Sequence, residues 1–140
     1  MKNAALLIVF GLTACSQGVT EMTDRSQIPC GEKPNCVSTQ DQRDKFHLAP
    51  FNLTQQATLD AIAQAALQLP GAKLASRDDP YLRIECTSKI MRFVDDLELK
   101  IIDQQLAVRS ESRVGYSDFG VNRKRVEQLR TLLTDAGLIK

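Results

Sequence analysis

Between Arg109 and Arg125 the chain collects the side chains with which proteins hold anions or activate hydroxyls. They are Arg109, Ser110, Ser112, Arg113, Tyr116, Ser117, Asp118, Asn122, Arg123 and Arg125, joined by Glu111 and Lys124. Three chemistries fit such a set. Arginines and free backbone N–H groups at a helix start can bind a phosphate or carboxylate. The same arginines can instead pair internally with Asp118, Glu111 or the Asp95-Asp96 step. A serine or Tyr116 beside Asp118 can be read as a hydrolase or transferase, but no G-x-S-x-G elbow is present. The only histidine, His47, lies outside the stretch, so no base is at hand to activate a hydroxyl. Internal pairing is the favoured reading. Arg123, Lys124 and Arg125 sit near a helix N-terminus, where cations oppose the helix dipole and need partners.

These residues must be positioned by a small fold. Leu59, Ile62, Ala66 and Leu69 repeat at helical spacing, which predicts a helix capped by Asn52 or Thr54 and stopped by Pro70-Gly71. Lys73 to Arg77 reads as a short strand and Asp78-Asp79-Pro80 as a turn. From Tyr81 the period becomes two. Leu82, Ile84 and Cys86 share one face, with Arg83, Glu85 and Thr87 on the other. The alternation continues through Leu97, Leu99 and Ile101 against Glu98 and Lys100, and through Leu106 and Val108 against Ala107, Arg109 and Glu111. Asp103-Gln104-Gln105 turns the chain between them. A final helix runs from about Gly120 to Asp135, with Val126, Leu129 and Leu133 inward. Short turns make the strands antiparallel neighbours. The expected fold is α+β: a sheet of about four strands with two helices on one face, and a solvated mesh of ion pairs on the other.

The N-terminus supplies an address. Lys2 precedes an apolar run from Ala4 to Leu12, far too short to span a bilayer. Thr13 and Ala14 then precede Cys15. This pattern resembles a bacterial lipobox, which implies a signal peptide over residues 1–14 and lipid, palmitate included, on Cys15. Ser16 after the cysteine points, by the same resemblance, to the outer membrane facing the periplasm. Residues 15–28 are polar and without period, a tether before a domain over 29–140. The full chain carries a net charge of +1, and loss of Lys2 brings the mature chain to about neutral, which removes bulk charge as a reason to expect nucleic acid. The membrane is then the first expected partner, with an anionic ligand, a lipid or an envelope protein as further candidates.

Cysteines follow the oxidising compartment. Cys30 and Cys36 bracket a Gly31 and Pro34-Asn35 turn and form the preferred disulfide, although pairing cannot be deduced from spacing alone. Cys86 is then a buried free thiol on the apolar parity. Zinc is disfavoured because no C-x-x-C pair exists and His47 stands alone, so neither metal nor cofactor is expected.

Three stretches together carry a family resemblance: Cys30-Gly31-Glu32-Lys33-Pro34-Asn35-Cys36-Val37-Ser38, then Phe93-Val94-Asp95-Asp96, then Ser110 to Arg125. They resemble the signatures of domain-of-unknown-function family 1499, over about Cys30 to Leu133. The resemblance implies no activity, cofactor or catalytic residue. The functional expectation is a non-enzymatic envelope lipoprotein that binds a ligand or partner. The alternatives are a structural envelope protein whose Arg/Asp motif only stabilises the fold, and a hydrolase using Ser or Tyr with Asp118.

Overall fold

The computed structural model describes residues 23–140. The expected signal peptide, Cys15 and the start of the tether lie outside the described residues. The elements are β1 (Cys36–Ser38), β2 (Phe51–Asn52), α1 (Leu59–Ala66), β3 (Ala72–Asp78), β4 (Tyr81–Thr87), β5 (Val94–Ile102), β6 (Gln105–Ser112) and α2 (Val121–Asp135). The sheet is antiparallel, in the order β1-β6-β5-β4-β3, with β2 also paired to β6.

It therefore has six strands where about four were expected. The extra two, β1 and β2, are three and two residues long. Neither is long enough to display a period of two. Both add to the free edge of β6, through Val37↔Ser110 and Phe51↔Leu106 among others.

Helix α1 also starts later than expected. Asn52 is strand, and Thr58 is the cap, its hydroxyl accepting from the Ala61 N–H at 3.1 Å. The helix ends at Ala66, before Leu69.

The core lies between the sheet and both helices. Leu82, Ile84 and Cys86 of β4, Leu97 and Leu99 of β5, and Leu106 and Val108 of β6 pack with Leu59, Ile62 and Ala66 of α1 and Val126, Leu129 and Leu133 of α2. Each fully buried leucine or isoleucine contributes about 2 kcal/mol of transfer free energy. Gly71, with φ of +69°, lets the chain re-enter the sheet against β4; a Cβ there would sit 2.1 Å from the Thr87 carbonyl oxygen.

The opposite face corrects the expectation of a solvated mesh. Arg83, Asp96, Glu98 and Arg109 are all buried. The cover is the segment Asp24–Ile28, part of the stretch 15–28 that reads as tether in the sequence. The Arg25 N–H donates to Glu98 Oε1 at 2.9 Å, and its guanidinium donates to Glu111 Oε2 at 2.8 Å. Lys100 Nζ reaches Asp24 at 2.9 Å, and Arg109 Nε donates to the Ile28 carbonyl at 3.1 Å. Single polar side chains, and no apolar stripe, dock this arm, so periodicity is blind to it.

The arm leads into the Cys30–Cys36 disulfide, with Cα atoms 5.7 Å apart. Cys86 is free and buried, and burial pushes its thiol pKa upward. Opening the bridge by a Cys30→Ser/Cys36→Ser pair frees a short loop. The expected loss is about 2 kcal/mol on loop-closure entropy, read as a shifted urea midpoint.

Candidate functional site

The three sequence stretches meet at one end of the sheet, where β5 begins and β6 ends. The register pairs Asp95 with Ser112 and Asp96 with Glu111. Successive strand residues face opposite ways. Asp95 and Ser112 thus look toward α2, and Asp96 and Glu111 toward the N-terminal arm.

Asn122 organises the helix side and is fully buried. Its Oδ1 accepts from the Ser110 hydroxyl at 2.6 Å and from Arg125 Nη1 at 2.8 Å. Its Nδ2, with two hydrogens, faces three acceptors: Asp118 Oδ2 at 2.8 Å, Ser112 Oγ at 2.9 Å and the Asn35 carbonyl at 3.1 Å. Arg125 Nη2 completes the group on Asp95 Oδ2 at 2.7 Å. Asn35, inside the disulfide loop, also accepts from the Ser112 N–H at 3.0 Å, and the Asp118 N–H donates to the Pro34 carbonyl at 3.2 Å. The disulfide loop is thus a wall of the site.

Helix α2 begins at Gly120, which has φ of 82° and no side chain to cap with. Asp118 substitutes for it. Its carboxylate accepts from the Gly120 and Asn122 N–H groups at 2.9 and 3.0 Å. A carboxylate at this end also suits the helix dipole. Asp118 was expected to neutralise a cation; it caps the helix instead. The free N–H groups that would have held an external anion are partly consumed by it.

On the arm side, Arg113 grips Asp96 with two bonds of 2.7 and 2.8 Å and reaches Glu85 at 2.7 Å. Arg83 adds a bond to Asp96 at 3.1 Å. Burial works against the Asp96 charge, but Arg113 and then Arg83 outweigh it and hold its pKa below the ordinary 3.8. The Arg113 bond likewise lowers Glu85. Arg109 reaches Glu111 at 2.6 Å and approaches buried Glu98 at 3.6 Å. Glu98 accepts from the Tyr81 hydroxyl at 2.9 Å.

Among the described residues Arg123 takes no carboxylate. It donates to the His47 and Lys45 carbonyls at 3.0 and 3.2 Å. Of the three cations expected to pair internally, Arg123, Lys124 and Arg125, only Arg125 does so among the described residues, while Arg109 and Arg113 pair with carboxylates of the sheet. Sequence reasoning missed Arg25, Asn35, Glu85 and Glu98 as members of the site. Parity alone could have supplied Glu85 and Glu98, which share the face of Arg83 and Asp96; nothing local marks Arg25.

The serine hydroxyls are committed elsewhere, whereas the exposed Tyr116 hydroxyl has no partner among the described residues. Ser110 and Ser112 bind Asn122, and Ser117 Oγ accepts from the Phe119 N–H at 3.2 Å. His47 Nδ1 contacts the Asp41 carbonyl at 2.7 Å. While Ser110, Asn122 and Asp95 turn inward, Val114, Tyr116, Phe119 and Val121 are exposed, as are Ile90, Met91 and Phe93 on the neighbouring β4–β5 loop.

Acid should dismantle this arrangement. Asp24, Glu85 and Asp96 lie below their ordinary values in the fold, and hydrogen bonding by Arg43 brings Asp41 down to about 2. Depressed carboxylates stabilise the fold above their unfolded pKa values and lose that contribution as pH falls through the folded ones. Melting temperature should stay level from neutrality to about pH 5 and drop steeply from about pH 4 to about pH 2, as circular dichroism melts would record.

A family model described as "Protein of unknown function (DUF1499)" matches residues 28–133. The span takes in the disulfide loop, Asp95 and Asp96 of β5 and the whole of the 110–125 stretch. No curated protein and no solved structure matches the chain.

Proposed function

Because the chain belongs to the DUF1499 family, whose function is unknown, we propose a role from its own geometry: a non-enzymatic binding domain of the bacterial envelope. A lipid on Cys15 holds it to a membrane, which Ser16 suggests is the outer membrane, facing the periplasm. The apolar run, Lys2 and the small residues before Cys15 support the anchor. A disulfide between Cys30 and Cys36 suits an oxidising compartment.

One observation carries the binding role. At the end of the sheet where the motif segments meet, Ser110, Ser112, Asp118, Asn122 and Arg125 turn onto one another and onto Asp95, while Val114, Phe119 and Val121 project. A catalytic centre would do the reverse, aiming polar groups at a substrate. The polar half of the motif is scaffold, and its exposed loop is the contact surface. The purely structural alternative draws on the same internal pairing, but it leaves the projecting aromatics without a use.

Two experiments test the proposal. Globomycin or Cys15→Ala should block maturation and lipid attachment; unchanged processing would remove the anchor. A photo-reactive phenylalanine analogue at position 119, in intact cells, should yield an adduct that the same probe at Gln104 does not. No adduct at position 119 would leave the structural alternative.

A further inference from the structure

We infer that the loop end of the sheet, formed by the β4–β5 and β6–α2 loops, docks on an anionic lipid surface. This rests on the binding role above and names its partner.

The tips are largely apolar and highly exposed. Phe119 is 94% exposed, Ile90 87%, Tyr116 70% and Met91 65%. Side chains that stand this far out do not make a flat, shape-matched face for another protein. They suit a soft medium that closes around them one by one, and aromatics are favoured where water meets lipid.

The surroundings are cationic. Lys89, Arg92 and Lys124 form no ion pair among the described residues. They line an open cavity of about 520 Å³ between the β4–β5 loop and α2. Among the described residues its only other charged lining residue is Arg125. In a chain of net charge +1, an all-positive cavity beside apolar tips is a local segregation. It is complementary to phosphate-bearing headgroups, with the apolar tips entering beside them.

The backbone carries a cost at the same places. Arg92 and Phe119 have φ of 56° and 52°, in the left-handed region that glycine would occupy freely. One loop thus keeps a cation, and the other an aromatic, at a position that disfavours both. Neither side chain contributes a hydrogen bond to the fold among the described residues, so both stand free to meet a partner; the third such residue, Asp103 with φ of 53°, lies on the turn at the other end of the sheet.

The proposed anchor can reach. Asp24 is fixed beside Lys100, and the loops start near Val94, about 20 Å along the strand. The chain from Cys15 to Asp24 extends to about 30 Å.

The chain has no tryptophan, so F119W is a single reporter and Q104W, on the turn at the other end of the sheet, its control. The full chain is reconstituted into phosphatidylcholine vesicles with or without phosphatidylglycerol. With phosphatidylglycerol, F119W emission should move to shorter wavelength and be quenched by brominated lipid, while Q104W stays wet. Neutralising three cations with Lys89→Gln, Arg92→Gln and Lys124→Gln should cost the loops on the order of 100-fold in lipid affinity and abolish the shift.

An F119W signal as wet as the control in anionic vesicles would overturn the inference. So would the same dry signal in phosphatidylcholine alone or without vesicles, the latter marking a second copy as the occupant. The anchor is read separately, from the mass of the chain extracted from cells. Absence of lipid on Cys15 would remove the anchor and leave the reporter result standing. A protein adduct at position 119 with a wet reporter would keep the binding role and remove the lipid surface.

Discussion

Asn122→Ala should destabilise the protein by about 3 kcal/mol, because it strips partners from several buried groups at once. The Ser110 hydroxyl, fully buried, loses its 2.6 Å acceptor, and the Asn35 carbonyl loses a donor at 3.1 Å. Arg125 keeps Asp95 but loses the amide that orients it. An unsatisfied buried polar group costs about 1–3 kcal/mol, and a small side chain leaves no compensating burial. The urea midpoint should fall with an unchanged slope. A loss below about 1 kcal/mol would mean that the loop stands without its hub.

The second large effect is expected far from the motif in sequence. Arg25→Ala removes the cation that lies 3.3 Å from Glu98 and 2.8 Å from Glu111. Glu98 is fully buried, and Arg109 approaches it only at 3.6 Å. Leaving a buried carboxylate short of a partner costs about 3–5 kcal/mol. Arg25 is itself partly exposed, which puts the expectation at the low end, about 3 kcal/mol. Arg77→Ala is the matched control. Its partners Asp60 and Asp79 are exposed, so its loss should stay below about 1 kcal/mol. Thermal melts of the two variants should separate clearly; equal melting temperatures would show that the arm is not held by charge.

The sheet from β4 to β6 and helix α2 were legible because each has an unbroken period. Leu82, Ile84 and Cys86 alternate with Arg83 and Glu85, and that alternation survives in the structure as a core face and a charged face. The short strands β1 and β2 were not legible, since their existence depends on the free edge of β6 and not on their own residues. The site was half legible. Asp95 and Asp96 were both read as partners for Arg123, Lys124 and Arg125; Asp95 does take Arg125, but Asp96 takes Arg113 and Arg83. Adjacent strand residues face opposite sides, so the pair had to serve two separate networks. Their joint description as one motif hid that. The burial of the charged face was invisible, because it comes from a segment whose polarity reads as linker.

The docked arm also has a mechanical meaning. A pull from the N-terminal side is first borne by Asp24 on Lys100 and by Arg25 on Glu98 and Glu111, a row of polar contacts with no apolar stripe beneath it. These contacts would peel one after another, before any strand of the sheet is loaded. Peeling stops at Cys30, whose covalent bond to Cys36 passes tension to β1. Residues 24–29 are thus a segment of about 20 Å contour length, docked at rest and released under tension, with the disulfide as its end stop.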